Sequence, residues 1–131
     1  MERMTKPQLF ACLRYVDVDA ALPLLEALGF SERFVMRDDA DPSVVHHAQF
    51  GWRDNGGIML GTDRDRGVGP RPGTACINLV VPTDADVDQT LARALAAGAR
   101  QISPVDEPPH GGRSLTVTDA ETLAAMRLVY E

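Results

Sequence analysis

The order of predicted elements repeats along this chain, and that repeat restricts the possible folds more than any single motif. Residues 8–16 alternate in polarity like a half-buried strand, and a helical pattern that ends at Gly29 follows. Residues 75–81 alternate again, and a second helical pattern ends at Gly98. Each helix is followed by three further segments of strand character. The sequence therefore predicts a strand, a helix and three strands, in two successive copies.

A segment rich in glycine and proline separates the two copies. Residues 62–74 show no hydrophobic periodicity and are typical of a connector. We therefore place module one at residues 7–61, the linker at 62–74 and module two at 75–131. With 131 residues in total, the chain is expected to form a single domain (1–131) large enough to bury a core.

Charge and composition exclude several classes of partner. The formal net charge is −6 and the arginines are interleaved with aspartates, whereas nucleic-acid binding needs clustered positive charge. No apolar run reaches the length of a membrane span, and the first residues lack the apolar core of a signal peptide. The cysteines, Cys12 and Cys76, do not make a disulfide framework. We expect a cytoplasmic protein without a nucleic-acid or membrane partner.

Both predicted helices have recognisable N-terminal caps. Asp17 or Asp19 caps the first helix, and Asp19 is preferred because it leaves Pro23 in the first turn, where a missing N–H costs least. Thr83 and Asp86 approximate a capping box at the second helix. The apolar spacing of the second helix predicts a buried stripe made of Val87, Leu91, Ala94 and Leu95.

The last segment, residues 110–131, predicts two strands joined by an acidic turn at 119–122. It matches the closing hairpin of bacterial glyoxalase-like proteins without a gap at Gly111, Arg113, Val117, Asp119 and Glu121. Ala120 and Thr122 replace the usual Pro and Gly, and Ala125 stands where Trp is common. The chain thus resembles the vicinal oxygen chelate superfamily, which includes glyoxalase I, bleomycin resistance proteins and extradiol dioxygenases.

This resemblance covers nearly the whole chain and implies an α+β fold. Its two βαβββ modules in tandem would form a curved, eight-stranded mixed sheet around a central cleft, with the helices outside. The first strands of the two modules would line the middle of that cleft. In that fold, strand alternation places the following side chains toward the cleft: Phe10, Cys12, Arg14, Cys76, Asn78 and Val80.

Enzymes of the resembled superfamily hold a divalent metal with His, Glu or Gln on the first and last strands of each module. The corresponding places hold Phe10, Met59, Cys76 and either Met126 or, with a slip of one residue, Arg127. None of these is a suitable oxygen or nitrogen ligand, and a single thiolate does not make a metal site. We therefore expect no cofactor and no metal. The sequence does not identify catalytic residues.

The histidines give a weaker signal. Val45, His47 and Gln49 share one predicted face and His46 the other, so the two adjacent imidazoles cannot bind one ion. Either His47 or Gln49 is a candidate for the cleft, and a surface or hydrogen-bonded strand histidine is the alternative. His110 precedes two glycines in a predicted loop, where it is either solvated or at the rim of the cleft.

Two other side chains are candidates for ligand binding. Arg113 matches an arginine of the resembled branch and would either bind an anionic group or pair with Asp119 or a neighbouring acid. Trp52 lies near a predicted hairpin, where it would cap the cleft, contact a second subunit or pack under the loop.

The apolar and polarizable side chains at these cleft positions favour binding over catalysis. The leading hypothesis is a metal-free homodimer that sequesters a small aromatic or amphipathic molecule. The alternative is a metal-dependent lyase, isomerase or dioxygenase with ligands drawn from His47, Gln49 or Glu131. The predicted ligand-binding cleft consists of Phe10, Cys12, His47, Trp52, Met59, Cys76, Asn78, Arg113 and Met126.

Overall fold

A computed structural model describes residues 7–64, 71–119 and 125–130, with only the backbone at 125 and 126. The first module consists of β1 (Leu9–Tyr15), α1 (Val18–Leu28), β2 (Phe30–Arg37), β3 (Val45–Trp52) and β4 (Gly56–Thr62). The second module consists of β5 (Cys76–Val80), α2 (Asp84–Ala96), β6 (Arg100–Gln101), β7 (Arg113–Thr118) and β8 (Ala125–Tyr130). The predicted repeat of strand, helix and three strands is confirmed. The predicted turn at 119–122 falls largely outside the described residues.

The strands form two four-stranded sheets, in the orders β1-β4-β3-β2 and β5-β8-β7-β6. In each sheet the first strand pairs in parallel with the last strand of its module, and the other pairs are antiparallel. The single eight-stranded sheet implied by the resemblance is therefore present as two separate halves. In the described residues no backbone ladder joins β1 to β5. A side-chain hydrogen bond does link the modules, because Arg53 donates to the backbone oxygen of Val80 in β5 at 2.8 Å.

The two helix N-termini differ from prediction at one residue. The preference for Asp19 as the first cap is wrong, because Asp17 is the extended N-cap residue and accepts from the Ala20 N–H at 3.3 Å. Asp19 pairs instead with Arg37 at 2.7 Å, and Pro23 lies inside the helix. At α2 the predicted capping box between Thr83 and Asp86 is confirmed.

One apolar core runs through both modules. Each helix packs on one face of its own sheet, α1 also contacts α2, and Arg93 of α2 donates to the Ala27 carbonyl at 2.9 Å. Fully buried side chains from both modules belong to this core, among them Tyr15, Leu25, Leu28, Val87, Leu115 and Leu128. Burial of each aliphatic side chain of this size contributes about 1.5–3 kcal/mol to the free energy of unfolding.

The buried face of α2 differs from the predicted stripe. Leu95 is 44% exposed and Leu91 is half-buried, whereas Thr90 is buried together with Val87 and Ala94. The face of α2 that packs on the sheet therefore consists of positions 87, 90 and 94, which have the spacing of one helical face. Among the described residues, no helix is long and apolar enough to cross a bilayer.

Strand β3 departs from the predicted alternation at its start. Val45 is fully buried with Ala48 and is not on the face of His47. The register of β2 and β3 shifts here, since Met36 pairs with His47 and Arg37 pairs with Val45. His46 is thus the extra residue of a β-bulge, and the bulge returns Val45 to the core.

Candidate functional site

The face of the first sheet opposite α1, here called outer face one, carries most of the predicted cleft residues of module one. Cys12 pairs in register with Met59, and Met59 pairs with Gln49. Cys12 is exposed, and Met59 and Gln49 are half-buried. Phe10 pairs with Gly57 on the same two strands as Cys12 and Met59. The predicted residues of this module are therefore neighbours on one open sheet surface.

Glycines let larger side chains lie flat on outer face one. A Cβ atom at Gly57 would lie 2.7 Å from the ring of Phe10, and one at Gly51 would lie 2.8 Å from Nε of Arg33. A Cβ atom at Gly61 would lie 2.9 Å from the guanidinium of Arg14. Any side chain at these three positions would displace the covering group. The sequence shows the glycines but gives no sign of what covers each of them.

The two adjacent histidines serve different contacts. His47 Nε2 lies 3.3 Å from Nε2 of Gln49, and its ring is 5.3 Å from that of Phe34. His46 Nε2 lies 2.9 Å from the Asp38 carboxylate, and its Nδ1 faces Arg64. His47 and Gln49 therefore converge on outer face one, as their shared predicted face requires, while His46 is held at the end of the sheet.

The corresponding surface of the second sheet, outer face two, presents Cys76 and Asn78 on β5, both exposed. Asn78 pairs in register with Arg127, and Arg127 pairs with Thr116. Met126 pairs with Ile77 and Val117, which belong to or pack against the core. The register thus gives the outward position on β8 to Arg127. The side chain of Met126 lies outside the described residues.

A cavity of about 650 Å³ lies between β1 and β5, where the two modules meet. Its lining is mainly apolar and comes from both modules: Leu9, Ala11, Phe30, Trp52, Gly56, Gly57, Ile58, Ile77 and Leu79. The amides of Gln8, Asn55 and Asn78 complete it. Both β1 and β5, the strands expected to line the middle of the predicted cleft, contribute to this lining. Ala11, Ile77 and Leu79 do so from the strand faces opposite the predicted cleft faces.

Trp52 belongs to this cavity. Its ring lies 5.1 Å from that of Phe30 at an angle of 50°, and it also contacts the position of Gly29, whose φ of 112° places it in the left-handed region. A tilted aromatic pair at this distance stabilises both rings. Of the predicted ligand-binding residues, Trp52 and Asn78 line the cavity, whereas Phe10 covers Gly57 on outer face one.

Arg113 is bound by two carboxylates. Its guanidinium donates to Asp88 at 2.8 Å and also contacts Glu107. The hydrogen bond to Asp88, together with the nearby negative charges, raises the pKa of Arg113 above its usual value. The acids that pair with Arg113 are therefore Asp88 on α2 and Glu107 in the loop before β7, not Asp119. Asp119 is buried at the end of β7.

The positions where the resembled enzymes hold a metal do not offer a donor set for a hard divalent cation. Phe10 is a hydrocarbon ring, Met59 a thioether and Arg127 a cation that repels a metal ion. Cys76 is an exposed thiol. Among residues 7–64, 71–119 and 125–130, no group of three or more His, Cys, Asp or Glu side chains is placed to hold a metal ion.

Comparison with known proteins identifies the fold. No family model and no curated protein sequence matches the chain. A glyoxalase family protein from Bacillus cereus matches with a TM-score of 0.73 at 14% identity, over 95% of this chain and 93% of that chain. A glyoxalase-related enzyme from Fulvimarina pelagi matches with a TM-score of 0.68 at 22% identity, over 95% of this chain and 88% of that chain.

A glyoxylase/bleomycin resistance protein/dioxygenase domain from Frankia sp. EAN1pec also has a TM-score of 0.68 to this chain. The two are 24% identical, over 92% of this chain and 94% of that domain. The chain therefore has the fold of the glyoxalase/bleomycin resistance/dioxygenase proteins, as the sequence resemblance predicted. At these identities the likeness is one of fold, and chemistry has to be argued from the side chains present.

Proposed function

We propose that this chain is a cytoplasmic, dimeric binding protein that sequesters a small aromatic or amphipathic molecule without a metal. The observation that carries the proposal is the cavity between β1 and β5, with its mainly apolar lining and a few amides. Sites for small organic molecules are typically concave, mostly apolar and about 300–1,000 Å³ in volume, with few polar groups to fix orientation. The cavity of about 650 Å³ has each of these properties.

The lining favours a flat ring system over a purely aliphatic ligand. Trp52 and Phe30 present aromatic surface to the cavity, against which a ring can stack. Asn78 and Asn55 supply neutral donors and acceptors at the same cavity. A neutral ring with one polar substituent suits this combination.

The uncharged aromatic dye N-phenyl-1-naphthylamine tests the site, because Trp52 is the single tryptophan of the chain and reports directly on it. Titration is expected to quench Trp52 emission saturably while the dye emission rises. Ala11→Phe fills the cavity from β1 and is expected to weaken dye binding by roughly tenfold or more, which corresponds to about 1.4 kcal/mol.

Cys12→Phe is the matched control, because it adds a phenyl ring at the next residue of the same strand but on outer face one. It is expected to leave dye affinity unchanged, and circular dichroism confirms that both variants fold. Equal dye affinity of the two variants, or quenching that never saturates, would show that the cavity is not the binding site.

A metal-dependent lyase, isomerase or dioxygenase is the second candidate, and one contact favours it. His47 and Gln49, two of the ligands expected for that alternative, approach each other on outer face one. Metal analysis of protein purified without a histidine tag separates the candidates. Stoichiometric Ni, Zn, Fe or Mn that is lost on His47→Ala would support the enzyme and contradict the metal-free proposal.

A further inference from the structure

Arg127 occupies an unusual electrostatic position in the second sheet. It lies on β8, between β5 and β7, and its side chain is half-buried. One guanidinium nitrogen donates to the Ser114 hydroxyl at 3.0 Å. Within the described residues it has no carboxylate partner, although arginines withdrawn from solvent are usually paired. Toward the described residues, most of its N–H donors thus stay available in a planar arrangement.

Arg113 is close by and provides the contrast. Its guanidinium is already bound by Asp88 and Glu107, which offset its charge. An arginine that is already paired with two carboxylates can line a site but has little affinity left for a further anion. Judged by the described residues, the arginine of this pair with donors left for an anionic group is therefore Arg127 and not the predicted Arg113.

The space in front of Arg127 is a cavity of about 450 Å³. Ser114, His110 and Tyr130 supply polar groups to its lining, and Pro108 and Val129 supply apolar surface. None of the described side chains that line it is acidic, although the chain as a whole carries a net charge of −6. This volume exceeds what a bare phosphate needs and has room for an attached organic group.

We propose that this cavity is a binding site for a small organic anion, held through its carboxylate or phosphate group by the guanidinium of Arg127. The planar fork of an arginine matches two oxygens of either group, which a lysine cannot do. Ser114 holds the guanidinium in place, and Pro108 and Val129 contact the organic part. The site shares no lining residue with the cavity between β1 and β5, so the two proposed binding sites can be tested independently.

Titration calorimetry of the full chain with phenyl phosphate and with benzoate tests the proposal at low ionic strength, with benzyl alcohol as the uncharged analogue. Saturable binding of at least one anion at one site per chain is expected, with affinity that falls as salt is added. The anion that binds more tightly identifies the preferred group. No binding of either anion, or equal binding of benzyl alcohol, overturns the proposal.

Arg127→Met removes the charge at similar side-chain volume and is expected to weaken binding roughly tenfold or more. Arg127→Lys keeps the charge and loses the fork, and an intermediate loss is expected. Arg100→Met, at an exposed arginine of β6 in the same sheet, changes the net charge equally and is expected to bind like the parent chain.

Comparable losses in the Arg100 and Arg127 variants would show a general effect of charge and would refute the site. If Arg127→Met does not fold, Arg127→Lys decides the matter, because unchanged affinity in that variant contradicts a bidentate contact. Dye binding at the first cavity should be unaffected in every Arg127 variant that folds, which keeps the two proposals distinguishable.

Discussion

Tyr15 is the most consequential titratable residue of the core. It is 1% exposed at the end of β1, and burial raises the pKa of its phenol above the ordinary value of 10.0, with the negative charge of Asp119 adding to the effect. Tyr15 belongs to module one and Asp119 to module two, so the effect links the two modules. The folded chain therefore keeps a proton that the unfolded chain releases above about pH 10.

The sign of the resulting pH dependence follows from the raised pKa. Below pH 10 both states hold the phenol proton and the stability is complete, and above it the free energy of unfolding falls by up to about 1.4 kcal/mol per pH unit. Tyr15→Phe removes the titration, so its urea unfolding midpoint should fall less between about pH 10 and pH 11 than that of the parent chain.

Tyr130→Phe is the control for this experiment, because Tyr130 is half-buried and Tyr15 and Tyr130 are the two tyrosines of the chain. That variant should keep the full alkaline loss. Parallel loss in the parent chain and in Tyr15→Phe would mean that other groups control alkaline unfolding.

Single residues also show where sequence reasoning ends. The sequence predicts either a ligand or an acid as the partner of Arg113, but Asp88 lies 25 positions away on α2 and no local pattern points to it. The arginine on β8 appeared in the sequence only as a slipped register of Met126. Arg127 is a candidate anion-binding residue because it has no carboxylate partner among the described residues, and only the folded structure shows this.

At the scale of elements, the cap of α2 is the clearest local determinant. Thr83 accepts from the Asp86 N–H at 3.2 Å, and the Asp86 carboxylate accepts from the Thr83 N–H at 3.1 Å. Thr83→Ala removes the hydroxyl acceptor and should lower the free energy of unfolding by about 0.5–2 kcal/mol. Thr83→Ser keeps the acceptor and should stay within about 0.5 kcal/mol of the parent chain in urea unfolding. Equal urea unfolding midpoints for the Ala and Ser variants would show that the Thr83 cap does not contribute to stability.

Elements were predictable where their signals are local, and less so where a distant partner decides. The capping box of α2 lies within four successive residues, so the sequence alone predicts it. The choice between Asp17 and Asp19 depended on Arg37, which takes Asp19 as its partner. Strand β6 ends at Gln101, and beyond it the Ser103 hydroxyl, not a strand backbone group, accepts from the Thr116 N–H at 2.8 Å.

At the scale of the whole molecule, the predicted binding residues divide among three regions. Phe10, Cys12, His47 and Met59 occur on outer face one. Cys76 on outer face two and Arg113 at the cavity of about 450 Å³ belong to the second sheet, and Trp52 with Asn78 lies at the cavity between the modules. The side chain of Met126 lies outside the described residues. Alternation predicts which side chains share a face of one sheet. It does not predict how two sheets are placed, because that depends on the packing of α1 against α2 and on the common core.

The same arrangement leaves surfaces that a second copy of the chain would cover. β1 and β5 each lie at the edge of their sheet, and exposed edges invite pairing. Leu9 on β1 is 83% exposed and Val80 on β5 is 44% exposed, while Met36 on β2 is 56% exposed. Apolar side chains exposed on the edge strands of a sheet are typical of a surface that is buried in an oligomer. We therefore expect a homodimer whose contact includes β1 and β5.

Sedimentation at micromolar concentration should give about twice the chain mass of 14.2 kDa. Leu9→Lys combined with Val80→Lys places charges on both edges and should shift the species to the monomer, since burying unpaired like charges is unfavourable. Leu95→Lys is the matched control, because Leu95 is also 44% exposed but lies on α2, away from both edges. A parent chain that sediments as a monomer would contradict the dimer. A dimer that persists in the double variant would place the contact elsewhere, because the edges β1 and β5 could not then be its centre.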